Sequence, residues 1–372
     1  HNATTPVRPE VAEAMSRLLR EDFGNPSSVY AEGAAARAQV EAARAQVADL
    51  LGVEPIEIRF TSGATEANNS LLFGFLGPGD HVVTTGVEHP SVVEPLVLLE
   101  SRGVGVTRVA PDPDGCVSVE AVSEAMREDT KLVTTIWANN ETGALQPVEE
   151  IASVCRSREI AHHVDATQAV GKVATDLSRV PAHFLSSSAH KLGGPKGVGA
   201  LVVRAGVELP AYLHGGGQER GLRGGTENVA GIVGYGLACR LAAAERAERE
   251  EANGKLRDRL WHGIEAGVAD VRWNGDPDRL LSNTLNVEFV GLAGEVLVQA
   301  LDLEGVAVSA GAACHSGSIE PSKVLTAMGR TPEQARGSLR LSVGHGVDEE
   351  QIDRVVSLLS ELVPRIRAVE AP

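Results

Sequence analysis

Apolar and polar residues follow two rhythms along this chain, and the rhythms take turns. Gly33 to Leu51 carries Ala, Arg, Glu and Val at helical spacing with no proline, which predicts an amphipathic helix. Short apolar runs then recur over Ile58–Phe60, His81–Thr84, Leu132–Ile136, Ala161–Val164, Phe184–Ser186 and Gly199–Val203. Each is flanked by turn residues or helical stretches, so each reads as a strand. Strands alternating with helices predict an α/β domain with a mostly parallel sheet, and chemistry in the loops at the strand ends. From about Asn228 to Ala266 the rhythm becomes one long helical stretch, dense in Ala, Glu and Arg, that suits a bridge between two domains. Beyond it lies a smaller α+β unit with strands expected over Thr284–Phe289, Val306–Ser309 and Ser338–Ser342. A last helix starts near Glu349 and reaches toward Val369, with a kink or break expected at Pro364.

Composition narrows the function classes. A chain of 372 residues can bury a large core and predicts two domains. With aromatic residues at only 3%, that core must come from Val, Leu, Ile and Ala. The formal net charge of -16 argues against nucleic-acid binding as the main task, because phosphate backbones call for an excess of Lys and Arg. It leaves room for a local basic pocket that takes a small anion. No apolar run approaches the roughly 20 residues of a membrane-spanning helix, and no basic-then-apolar leader is seen. Cys116, Cys155, Cys239 and Cys314 are scattered, without a CxxC or zinc spacing. Neither a disulfide framework nor a metal site is expected, and a reducing cytoplasm is the expected location.

The residues with chemical promise fall after the predicted strands. Asp165 closes one strand, and Lys191 sits in Ser188-Ala189-His190-Lys191-Leu192-Gly193-Gly194 after another. A carboxylate and a lysine so placed suit pyridoxal phosphate: the lysine forms a Schiff base with the aldehyde, and the acid partners the pyridine nitrogen. Ser188 and His190 supply phosphate contacts, and a released Lys191 can move the substrate Cα proton. A lone lysine is more often a solvated residue, but these small neighbours do not suit that role. Thr61-Ser62-Gly63-Ala64-Thr65 opens a helix, where Ala64 and Thr65 can cradle a phosphate on free N–H groups; the same residues suit a capped helix start without ligand. His89 suits an imidazole stacked on the cofactor ring, and Asn140 a partner for the ring oxygen, although a surface histidine and a polar turn fit equally. The glycine-rich Gly215 to Thr226 stretch suits an anion site or a subunit contact. Cys314 lies among small, turn-forming residues, unlike the three cysteines expected in packing roles, and a nucleophilic thiol must be accessible. Arg340, inside Leu339-Arg340-Leu341, needs a partner: a structural acid or a substrate α-carboxylate.

In this order the motifs resemble the cysteine desulfurase family and its relative selenocysteine lyase. The resemblance runs from Asn2-Ala3-Thr4-Thr5-Pro6 and Gly24-Asn25-Pro26-Ser27-Ser28, through the blocks above, to Glu320-Pro321-Ser322 and Arg340. It implies an aspartate-aminotransferase-like fold (fold type I). The large cofactor domain would cover 12–245, and the small domain would combine 1–11 with 246–372 and carry the cysteine loop. By matching motif, Lys191 resembles the Schiff-base lysine and Asp165 the partner of the pyridine nitrogen. His89 would stack on the ring, and Asn140 and Gln168 would lie near the substrate and the phenolic oxygen. Ala64, Thr65, Ser188 and His190 would hold the phosphate. Thr226 would reach the neighbouring subunit's phosphate, which implies a homodimer with shared active sites. Arg340 would bind the substrate carboxylate, and Cys314 would attack the substrate sulfur.

The activity so implied converts L-cysteine to L-alanine and leaves a persulfide on Cys314. The small-residue stretch around Cys314 resembles the subgroup whose extended cysteine loop delivers sulfur to an acceptor: an iron–sulfur scaffold, or a tRNA-thiolation or DNA-modification protein. Ala138 to Gly143, Gly217 to Arg220 and Ala310 to Ser316 resemble selenocysteine lyase equally well, so release of selenium from L-selenocysteine stands as the alternative, with a conventional aminotransferase behind it.

Overall fold

The computed structural model describes residues 1–310 and 321–370. Eleven strands among them form two sheets. The larger comprises β1 (Ile58–Thr61), β2 (His81–Thr85), β3 (Gly105–Val109), β4 (Thr130–Ile136), β5 (Ala161–Asp165), β6 (Phe184–Ser188) and β7 (Gly199–Val203). Their order is β1-β7-β6-β5-β4-β2-β3. Only β7 runs against its neighbours, so the other six strands point their carboxyl ends to one edge. Strands β2, β6 and β7 are buried along their whole length. That double-sided burial is why they read as apolar or small-residue runs without clean alternation. The smaller sheet orders β10 (Ser309–Ala310), β11 (Ser338–Ser342), β9 (Thr284–Phe289) and β8 (Val271–Trp273), all antiparallel.

Helices cover both sheets: α1 (Pro9–Glu21), α2 (Ala31–Leu51), α3 (Ala64–Phe75), α4 (Pro90–Glu100), α5 (Val119–Ala125), α6 (Val148–Ser157), α7 (Val229–Gly267), α8 (Gly294–Leu303), α9 (Lys323–Ala327), α10 (Pro332–Arg336) and α11 (Glu349–Glu370). The bridge is α7, a single helix of 39 residues. Its first half buries Ile232, Tyr235 and Ala238 in the core of the large sheet, and its second half buries Leu260 and Ile264 in the core of the small one. Tyr235 also ties helix to sheet, its hydroxyl 2.6 Å from Ser187 Oγ on β6. Helix α2 stops at Gly52, whose left-handed φ of 63° closes the last turn.

Two sequence expectations change. The strand expected over Val306–Ser309 shrinks to Ser309–Ala310. Gly305, at φ 74°, ends α8, and the Gly305 and Val306 N–H groups return to Asp302 and Leu301, so the chain is still closing the helix where the strand was expected. The break at Pro364 is absent, because α11 continues through it. A mid-helix proline costs about 3 kcal/mol. Each apolar side chain buried gains about 1.5–3 kcal/mol. Ile352, Leu359 and Val363 are all buried on this helix, so packing outweighs the missing hydrogen bond.

Candidate active site

Five loops leave the aligned strand ends and converge on one cleft of about 550 Å³, within the range of small-molecule sites. After β1 comes Gly63-Ala64-Thr65, and Ala64 and Thr65 open α3, whose first N–H groups have no intrahelical acceptor. Close approach makes this loop possible: a Cβ on Gly199 of β7 would stand 2.7 Å from Gly63 Cα. After β2 comes His89. After β4 the chain turns through Asn140, held by Asn139, whose Oδ1 accepts from the N–H groups of Glu141 and Thr142. Asp165 ends β5 and Ser188 ends β6, followed by the short turn that carries His190 and Lys191.

Of the residues singled out from the sequence, Ala64, Thr65, His89, Asn140, Asp165, Gln168, Ser188, His190, Lys191 and Arg340 all line this cleft. Thr226 does not; it is exposed on the loop after Gly225. Cys314 lies outside the described residues. The other three cysteines are free and buried, and burial raises their thiols: Cys116 to about 11, and Cys155 to about 12. They are packing residues.

The polar contacts are specific. Lys191 Nζ donates to the carbonyls of Asn2 (2.6 Å) and Ala3 (2.9 Å). Asp165 accepts from Asn68 Nδ2 at Oδ2 (2.9 Å) and from the Thr167 N–H at Oδ1 (3.0 Å). His190 meets Thr4 Oγ1 at 3.1 Å, and burial pushes its pKa down to about 4, so its ring is neutral near pH 7. Arg340 comes from the small sheet, yet its Nη1 donates to the Asn140 carbonyl at 2.9 Å, which ties the two halves of the molecule at the cleft.

The matched family decides the class of molecule. Residues 1–355 match the family described as aminotransferase class-V. The chain is 44% identical over 371 residues to the cysteine desulfurase IscS of Methanosarcina thermophila, covering 99% of this chain and 92% of that protein. The chain belongs to the cysteine desulfurases of the class-V aminotransferase family. Two solved structures extend the match. A NifS-like protein aligns at TM-score 0.92 and 38% identity over 98% of each chain. SspA, solved in complex with cysteine, aligns at TM-score 0.82 and 37% identity over 92% of this chain and 97% of that one. This family depends on pyridoxal phosphate.

Several residues of this desulfurase's cleft escaped the sequence reading. Asn2 is fully buried; its carbonyl also accepts from Gln168 Nε2, and its Oδ1 accepts from Lys172 and Asn283. Nothing local marks that role, which exists only once the two halves close over it. Asn68 had a faint signal: it lies three residues after Thr65, on the same face of α3. Glu141 is half-buried, and desolvation of its carboxyl pushes it up to about 7 against the pull of Ser322, whose Oγ donates to it at 2.5 Å, and of Arg340.

Glu88, beside His89, is also buried, and burial raises its pKa to about 8 despite hydrogen bonds to Oε1 from Thr85 Oγ1 and the Ile136 N–H. A carboxyl raised above its ordinary 4.5 keeps its proton when folded and loses it when unfolded, so stability falls as pH rises from about 4.5 through 8. Thermal unfolding should therefore move to lower temperature between pH 5 and 9, and Glu88→Gln, which cannot ionise, should flatten that slope. A variant with the wild-type slope would show that Glu88 is charged in the fold.

Proposed function

We propose that this chain is a pyridoxal-phosphate-dependent cysteine desulfurase that converts L-cysteine to L-alanine and takes up the sulfur on Cys314. Lys191 carries the reading: in a family that uses this cofactor, it follows β6 directly after Ser188 and lines the same cleft as the Asp165 carboxylate and the start of α3.

The residues fit pyridoxal phosphate. Asp165 is buried and oriented by two donors, and its carboxylate has lone pairs left for a pyridinium N–H. The free N–H groups of Ala64 and Thr65, with the Ser188 hydroxyl and His190, suit a phosphate dianion. Once bound, the cofactor supplies an electron sink for the charge that develops at the substrate Cα.

The chain's own groups do the rest. Lys191 would hold the cofactor and, when freed by the substrate amine, would take the Cα proton. Arg340 grips the substrate carboxylate; its register opposite Ser309 and Asn286 and its bond to Asn140 fix the approach. His89 would stack on the ring, and Asn140 and Gln168 would lie beside the substrate and the phenolic oxygen. The Cys314 thiolate then attacks the substrate sulfur: an S–S bond forms, the carbon–sulfur bond breaks, and the three-carbon fragment is protonated and leaves as alanine. The chain runs into that cysteine's segment from Ala310, paired with Leu339 beside Arg340, and leaves it near Ser322, bonded to Glu141 beside Asn140.

We further assign residues 12–245 to the large domain and 246–372 to the small one, on the two separate cores that share α7, and residues 1–11 to the small one on the bonds of His1 and Asn2 to Ser342, although Val11 packs in the large core. A homodimer in which Thr226 completes the partner's phosphate site, a protein sulfur acceptor such as an iron–sulfur scaffold, and a cytoplasmic location complete the reading. Among the described residues no helix is long and apolar enough to cross a membrane.

Mass spectrometry tests the proposal directly. After exposure to L-cysteine, the Cys314 peptide should gain the mass of one sulfur while alanine appears. Alanine without that gain, or a keto acid product, would sink it.

A further inference from the structure

The wall of the cleft behind His89 holds a chain of polar groups that the reaction above does not use. Asn68 Nδ2 donates one hydrogen to Asp165 Oδ2 (2.9 Å) and the other to Ser91 Oγ (2.8 Å). Ser91 Oγ lies 2.8 Å from His89 Nδ1, and the Ser91 N–H donates to the same Nδ1 at 3.1 Å. The amide orientation is forced, because the reverse would set Asn68 Oδ1 against the Asp165 carboxylate. Oδ1 is left buried and without a partner, among the described residues, as the cost of that choice.

The proton count then has one solution. Ser91 Oγ accepts from Asn68 and lies within hydrogen-bond reach of His89 Nδ1. The backbone N–H of Ser91 aims at the same nitrogen, as His89 caps the start of α4. A ring nitrogen that accepts a backbone N–H cannot bear a proton, so the hydrogen sits on Nε2, and the Ser91 hydroxyl becomes the second donor to Nδ1. We infer that Asn68 and Ser91 are positioning residues that lock His89 as the neutral Nε2–H tautomer, so that any proton His89 exchanges with the substrate passes through Nε2. The inference rests on the desulfurase reading for its use, though not for its geometry.

The charges around the ring agree. Burial lowers the pKa of His89 first; the facing charges are Asp165, which raises it, and Lys191, which lowers it. Both donors to Nδ1 stabilise the unprotonated nitrogen, so removing one should make His89 easier to protonate.

The test has two arms. Nitrogen NMR on histidine-labelled protein as purified, without cysteine, with His89→Gln to assign the signal, should show Nδ1 bare and Nε2 protonated. A protonated Nδ1 overturns the inference. In steady-state turnover of L-cysteine, Ser91→Ala should move the acid limb of kcat/KM upward by about half to one pH unit, the effect of one lost hydrogen bond. Ser91→Thr, which keeps a hydroxyl, should restore it. An unmoved limb in Ser91→Ala also overturns the inference. Failure of the wild type to make alanine would sink the desulfurase reading instead, while the NMR arm still decides the tautomer.

Discussion

Lys191→Ala should lose cysteine turnover almost completely, by more than about 10³-fold, because one side chain is asked to do two jobs. It anchors the cofactor and then carries the Cα proton. Alanine can do neither, and Lys172, which shares a neighbouring small pocket with Lys191, is already engaged. Lys172 Nζ is committed to Asn2 Oδ1 (3.1 Å) and Gln168 Oε1 (2.7 Å), and burial pulls its pKa well below the ordinary range. A readout independent of activity exists. Borohydride reduction of the wild type should fix pyridoxal phosphate to the Lys191 peptide, and the same treatment of Lys191→Ala should leave the protein unlabelled. Label retained on another residue, with turnover intact, would move the assignment away from Lys191. The fold should survive the change, since Lys191 is half-buried on the cleft wall and is not part of either apolar core.

Cys314→Ser should abolish sulfur uptake while leaving cofactor and substrate binding in place. A serine hydroxyl stays protonated near neutral pH, whereas a thiol gives a usable fraction of a much better nucleophile. No other described cysteine can take over: Cys116, Cys155 and Cys239 are buried, and burial raises each thiol pKa. The measurement is the protein mass after cysteine addition together with alanine release. A variant that still collected one sulfur per chain would point to a different acceptor atom. The same experiment with L-selenocysteine separates the closest alternative, because selenium release that persists without the thiol would favour a lyase.

Parts of this site were legible locally and parts were not. Asp165, Ser188 and Lys191 stood out because each follows a short buried strand, and the period of an apolar run and the turn residues after it are properties of neighbouring residues. The helix start at Ala64 was visible for the same reason. The strand over Val306–Ser309 was misread because its valines fit a strand equally well, while the hydrogen bonds that close α8 through Gly305 and Val306 are geometric. The break allowed for at Pro364 did not occur because its penalty is local and its compensation, the buried face of α11, is not.

The sequence by itself determined the alternation of elements, the α/β class, the Asp165–Lys191 cofactor signature and the isolation of Cys314 among small residues. These are short-range facts, written in spacing and side-chain chemistry. Only the tertiary structure decided that β7 alone runs backward, so that the other six strands of the large sheet, β1 to β6, point their carboxyl ends to one edge. Only it brought Asn2 onto Lys191, Arg340 onto Asn140, and Asn68 between Asp165 and His89. The physical reason is the same in each case. These contacts join residues separated along the chain by anything from 23 to 200 positions, and they exist because distant segments packed together, within the large domain or across the two cores, not because any local pattern required them.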